Sequence, residues 1–171
     1  MNRIISAVLT ASALIFGVFL PREEAAAQTV KEFVGTWTLV SSRLEQDGKK
    51  TDFFGPNPQG LLMYDADGRF SVIITRSDLP KFASNNRVAG TPEENKAIVH
   101  GSLAAFGTYS VRETGKTISL HYERSTFPNW NGIDRKTSFN ISGDELSTRV
   151  VSGPLTSIGT GTAYVVWKRA K

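Results

Sequence analysis

The sequence contains no cysteine. That excludes disulfides, thiol catalysis and cysteine metal sites, and with them a lipid anchor on a cysteine behind an export signal. Histidine is scarce: His100 and His121 are the only two. A metal centre would need both to converge with carboxylates, so no metal site is expected. There is no glycine-rich phosphate loop with its lysine, no serine in a nucleophile elbow and no His-x-x-x-His spacing. No repeat and no low-complexity segment appears. Basic residues outnumber acidic ones, for a net charge of +4, but no basic run is longer than Lys49-Lys50. A dispersed excess of this kind is a solvated surface, and no nucleic-acid partner is expected. Nothing in the pattern asks for a cofactor.

One long apolar run is present. Residues 4–20 are seventeen positions without a charge, preceded by Arg3 and followed by Pro21-Arg22-Glu23-Glu24 and Ala25-Ala26-Ala27. This is the layout of a secretory signal peptide, with cleavage expected after Ala27 and the protein secreted or periplasmic. The rival reading is an uncleaved anchor, for which the run is short of the ~20 residues that span a bilayer. No stable membrane insertion is expected after cleavage. Residues 28–171 remain as one domain, long enough to fold on its own core. Their balance is still +4, because residues 1–27 carry two basic and two acidic side chains.

From Gly35 onward the chain reads as strand after strand. Residues 35–43 are rich in β-branched and aromatic side chains, and Asp47-Gly48 marks a turn. Residues 54–72, FGPNPQGLLMYDADGRFSV, hold two prolines, three glycines and two apolar runs. The prolines stiffen a connection over one barrel end, Gly60 opens a strand, and Asp65-Ala-Asp-Gly68 turns it back on itself. Further strands are expected at 105–112, 117–124, 133–141, 145–151 and 162–169, with tight turns at 113–116 and 142–144. Residues 29–34 can form a short helical turn. One true helix interrupts: Thr91-Pro92-Glu93-Glu94 is a capping signature, and the helix is expected to run to about Leu103. Eight sequential strands with short links form antiparallel neighbours. The fold expected is all-β: an eight-stranded antiparallel up-and-down barrel, closed so that no edge is exposed, with one helix between strands 3 and 4.

The chain ends add to this. Trp37 lies in the first strand and Arg169 ends the last, and closure makes those strands neighbours. A guanidinium laid over the indole there contributes ~0.5–2 kcal/mol. Gly-x-Trp at the start with a terminal arginine is similar to the lipocalin pattern. The fuller run of motifs resembles the lipocalin-like domain family of bacteria and fungi. It comprises Gly35-Thr-Trp-x-Leu-Val-Ser, Phe54-Gly-Pro-Asn-Pro-x-Gly-Leu-Leu-Met-Tyr-Asp-Ala-Asp-Gly, Thr91-Pro-Glu-Glu and Phe106-Gly-Thr-Tyr109. It continues with His121 and Glu123, Phe127-Pro-Asn-Trp130-x-Gly132, Ser142-Gly-Asp-x-Leu146 and Trp167-Lys-Arg169. The resemblance spans about residues 33–169 and implies a lipocalin-like barrel and a small-molecule binder. Where relatives carry His-His before the glutamate, this chain has Leu120-His121, which speaks against any role needing two adjacent imidazoles.

A barrel of this size holds either side chains or one small ligand. On strand 117–124, Ile118, Leu120 and Tyr122 share one face and Ser119, His121 and Glu123 the other. Either the apolar set faces in and His121 and Glu123 are solvated, or the lumen is partly polar and these two contact a ligand. In the second case Glu123 would raise the pKa of His121, and the pair could do acid–base chemistry. Phe70, Val72 and Ile74 share a face with Arg76, which either meets an acidic head group at the mouth or snorkels along the surface. Trp130 either closes over a ligand or anchors its loop, and Arg135 on the next strand has the same two readings. Tyr64 and Tyr109 either orient a ligand or make one buried hydrogen bond each. His100 is expected on the helix surface. The expectation is a monomeric exported binder or carrier of a small, mainly hydrophobic molecule. The alternatives are a small isomerase or cyclase with His121 as base and Glu123 behind it, or a filled barrel acting as an interaction module.

Overall fold

The computed structural model describes residues 30–112, 114, 116–151 and 161–171. The expected signal segment, residues 1–27, lies outside the described residues, as does part of the expected turn at 113–116.

Among the described residues nine strands form one antiparallel sheet that closes on itself. They are β1 (Gly35–Gln46), β2 (Lys49–Asp52), β3 (Gln59–Tyr64), β4 (Arg69–Thr75), β5 (Ser102–Arg112), β6 (Thr117–Ser125), β7 (Ile133–Ser142), β8 (Glu145–Val151) and β9 (Thr162–Arg169). Closure runs through β1 and β9, from Trp37 opposite Arg169 to Glu45 opposite Thr162. The barrel is eight-stranded, because β2 and β3 take the same side of β1 in succession. β2 pairs with residues 43–46 of β1 and β3 with residues 35–38. The prolines of FGPNP therefore do not sit in a plain end connection. They belong to an excursion from within one barrel strand, with positive φ at Gly55 and Asn57.

The helix α1 (Pro92–Gly101) lies between β4 and β5, not between a third and a fourth strand. The difference arises at β2, whose four residues are all exposed and polar and carry no apolar alternation. The expected cap of α1 is present in full. The Thr91 hydroxyl accepts from the Glu94 N–H at 3.2 Å, and the Glu94 carboxylate accepts from the Thr91 N–H at 2.8 Å. The helix stops at Gly101, short of Leu103, because Ser102 already pairs with Thr75.

One end of the barrel is plugged. A helical turn at residues 30–33 places Phe33, fully buried, against Tyr64 and Phe139, with ring centroids 5.5 and 4.7 Å away. The Trp37 indole donates to the Phe33 carbonyl at 2.9 Å. Arg169 lies 4.2 Å over the Trp37 ring and donates to the carbonyls of Val34 and Glu32 at 2.9 and 2.6 Å. Burying each such large side chain contributes about 1.5–3 kcal/mol. The arginine also caps backbone groups that burial would otherwise leave costly. Gly35 sits at φ +132°, and a Cβ there would meet an Arg169 nitrogen at 3.0 Å. Among the described residues no helix is long and apolar enough to cross a membrane.

Candidate ligand-binding site

The register decides which side chains enter the barrel. β6 sends Ile118, Leu120 and Tyr122 inward; β7 sends Arg135, Thr137 and Phe139 inward and Asp134, Lys136, Ser138 and Asn140 outward. Two rows of mostly small side chains cross the wall from β1 to β8. Ser42, Val165 and Thr148 form one row, and Leu44, Ala163 and Val150 the next. The larger Leu62, Tyr64, Phe70 and Ile74 of β3 and β4 continue the lining, and the barrel holds a cavity of about 150 Å³. Its wall is mainly apolar, as ligand pockets are. Among the described residues its lining has no aspartate and no glutamate, and the only charged one is Arg135.

The loop between β6 and β7 builds one side of the mouth. A short 3-10 turn (Pro128–Trp130) is clamped by the Gly132 N–H on the Tyr122 carbonyl at 2.7 Å and the Ser125 N–H on the Asn131 side chain at 2.9 Å. Trp130 is thereby buried against Tyr122, centroids 5.0 Å apart, and against Phe127. It also lines the cavity, so it anchors its loop and forms wall at once. The Arg135 guanidinium lies 4.1 Å from the Trp130 centroid and 5.5 Å from that of Tyr122. Burial pushes the Tyr122 phenol above its ordinary pKa, while the charge and hydrogen bond of Arg135 pull it back in part. Tyr64 is pushed up strongly by burial, with Tyr122 and Tyr109 adding to the shift.

Two residues along β7 from Arg135, Thr137 is only 4% exposed and lines the same cavity. Its hydroxyl is the one fully buried side-chain polar atom without a hydrogen-bond partner among the described residues. Such a group is costly to leave unpaired. An acceptor or donor brought into the cavity would satisfy it.

Of the residues singled out in the sequence, Tyr64, Phe70, Val72, Ile74, Trp130 and Arg135 line the cavity; Arg76, Tyr109, His121 and Glu123 do not. Tyr109 stacks on Tyr64 toward the plugged end and donates to the Asp65 carbonyl at 2.7 Å. His121 and Glu123 stand on the outer face. His121 Nδ1 is 2.8 Å from Asp134, directly opposite it on β7. Glu123 takes a two-pronged ion pair from Arg69 at 3.2 and 3.0 Å. A bulge at Gly107 sets this arrangement, since Phe106 pairs with Arg124 and Gly107 with Tyr122, leaving Glu123 between. The pair considered for acid–base work inside the barrel therefore lies outside it, with its two members bound to different partners.

Arg76 does not reach the cavity either. Its backbone N–H bonds the Gly101 carbonyl, and its guanidinium grips Asp78 at 2.8 and 2.6 Å beside Gly55. That grip holds the Asp78 carboxyl below its usual pKa. The adjacent Ser77 hydroxyl donates to the Pro56 carbonyl at 3.0 Å, so this corner ties the β2–β3 excursion to the segment before α1. His100 is exposed on α1, as expected. No group of three or more metal-ligating side chains is found among the described residues.

Sequence reading missed Thr137, Ser42, Thr148 and Phe54. A usable signal for Thr137 was present. On β7 the outward set is uniformly polar, which marks Ile133, Arg135, Thr137, Phe139 and Ile141 as the inner face.

The family model for the lipocalin-like domain matches residues 34–170. No curated protein matches the chain. Among solved structures, a biogenic amine-binding protein is similar at 16% identity and a TM-score of 0.40, covering 81% of this chain and 64% of its own. The amine-binding protein of Rhodnius prolixus in complex with tryptamine is similar at 13% identity and a TM-score of 0.39, covering 81% of this chain and 63% of its own. The chain thus spans less than two thirds of the length of either. Likeness at this level says nothing about what this barrel holds.

Proposed function

We propose that this chain, which belongs to the lipocalin-like domain family, is an exported, monomeric binder or carrier of a small, mainly apolar molecule held inside the barrel. The observation that carries the reading is the cavity of about 150 Å³ with the Thr137 hydroxyl buried in its wall and without a hydrogen-bond partner among the described residues. A barrel serving only as a scaffold gains by filling such a space, because interiors are close-packed and voids cost stability. The apolar wall supplies affinity, and the few polar groups fix orientation. Export rests on the layout of residues 1–27.

Native mass spectrometry of protein released by an exporting host tests both parts. The expected species begins at Gln28 and carries a small-molecule adduct. A clean apo mass, together with failure to take up the neutral single-ring probe toluene, would overturn the binder reading. An uncleaved N-terminus would overturn the export reading alone.

A second reading has one observation in its favour. Leu61, Met63, Ile73 and Phe106 lie side by side on the outside of β3, β4 and β5, all exposed. Apolar outer faces of this kind mark contact surfaces. Sedimentation equilibrium separates the readings, since self-association relieved by Ile73→Lys would place the function on this outer face.

A further inference from the structure

The cavity has a sign, and resting on the binder reading above we propose that its ligand is a small apolar acid whose carboxylate is received by Arg135, Tyr122 and Thr137. A carboxylate is acceptor-only and needs donors, whereas an ammonium needs acceptors of negative charge. Among the described residues the lining holds one charged side chain, Arg135, and neither an aspartate nor a glutamate. The nearest acid in sequence, Asp134, points to the outer face, where it meets His121. A cation entering this barrel would be desolvated beside the like charge of the Arg135 guanidinium, which costs far more than its apolar body regains.

The three polar groups are all able to donate. Arginine has five N–H groups in the plane of the guanidinium and no acceptor. Stacking on Trp130, 4.1 Å away, takes up a face of that plane and leaves hydrogen bonding to its edge. The Arg135 guanidinium lies over the Tyr122 ring and can only donate to its phenol oxygen, so the Tyr122 proton remains to be given. Thr137, two residues along the same inner face, has a hydroxyl that no described group engages. Arginine is the side chain best matched to a carboxylate, through paired N–H···O bonds. A cavity of about 150 Å³ is the size that admits a benzene ring. The body is then one aromatic ring or a short aliphatic chain lying against Phe70, Ile74 and Leu62.

The test uses purified full-length protein and three probes of one shape: phenylacetate, phenylacetamide and phenethylamine, titrated by calorimetry. Phenylacetate is expected to bind at least about tenfold more tightly than the amide, the ratio that one charge-assisted hydrogen bond supplies. Phenethylamine is expected not to bind. Arg135→Gln should bring acid and amide to within about twofold of each other, and Arg135→Lys should restore part of the difference. The wild-type series decides the matter even if a variant misfolds. Equal binding of all three, or preference for the amine, would overturn the assignment of charge while leaving the binder reading intact. Binding of none, with a clean apo mass, would overturn both.

Discussion

Thr137→Val offers a test with two opposite signs. Valine replaces the hydroxyl by a methyl of nearly the same volume, so packing is preserved while the unpaired polar atom is removed. A buried hydroxyl left without a partner costs about 1–3 kcal/mol relative to the solvated unfolded chain. Thr137 is 4% exposed and its hydroxyl has no partner among the described residues. The ligand-free valine variant should therefore be more stable by about 1–2 kcal/mol. For a domain of this length that is roughly 3–6 °C in Tm. Thr137→Ser is the control: it keeps the hydroxyl, loses a methyl, and should lower stability by about 1 kcal/mol. The same valine change should weaken a carboxylate ligand by about three- to tenfold, because one donor is gone. Urea denaturation of the ligand-free proteins gives the stabilities, and titration with phenylacetate gives the binding. A valine variant less stable than wild type by 1 kcal/mol or more would refute the reasoning, since the hydroxyl would then be satisfied in the ligand-free protein.

Three further outcomes are expected. Gly107→Ala should fail to fold or lose several kcal/mol by denaturant titration, because a Cβ at this bulge would run into the His121 carbonyl; near-wild-type stability would contradict the bulge geometry. Arg169→Met should cost about 2–4 kcal/mol in urea, from the lost indole contact and two charge-assisted bonds to carbonyls, and loss of under 0.5 kcal/mol would show that the plug holds without it. The Glu94 carboxyl is held below its usual pKa by the backbone N–H groups of Ala83 and Thr91. A depressed acid stabilises the fold above its unfolded pKa and loses that contribution as pH falls through the folded value. The protection of amides in residues 83–95, measured relative to their intrinsic exchange rates, should therefore fall as pH drops below the ordinary glutamate range, and Glu94→Gln should remove that loss of protection with pH.

How much was legible in the sequence differs from element to element, and the differences have physical causes. The α1 cap, the Asp65–Gly68 turn and the meeting of Trp37 with Arg169 were readable because each rests on local chemistry or on the closure rule. The strand Lys49–Asp52 was not, because an all-exposed strand of polar residues needs no apolar alternation. Its omission displaced the helix by one strand in the expected order. Arg76 continued the apolar face of β4 by alternation, but the strand ends at Thr75 and Asp78 captures the guanidinium outside. Alternation on β6 gave two faces without saying which one is inward.

The sequence by itself determined the class of fold. Turn signals, strand-forming runs and motifs of the lipocalin-like type are local properties, and eight short-linked strands have few arrangements open to them. Only the tertiary structure decided what the barrel contains. Which face turns inward depends on the register of every strand with its neighbours, so His121 and Glu123 go out while Arg135 and Thr137 go in. The cavity is a difference between the barrel's interior and the summed volume of side chains from all eight strands, and no single stretch of sequence carries that quantity.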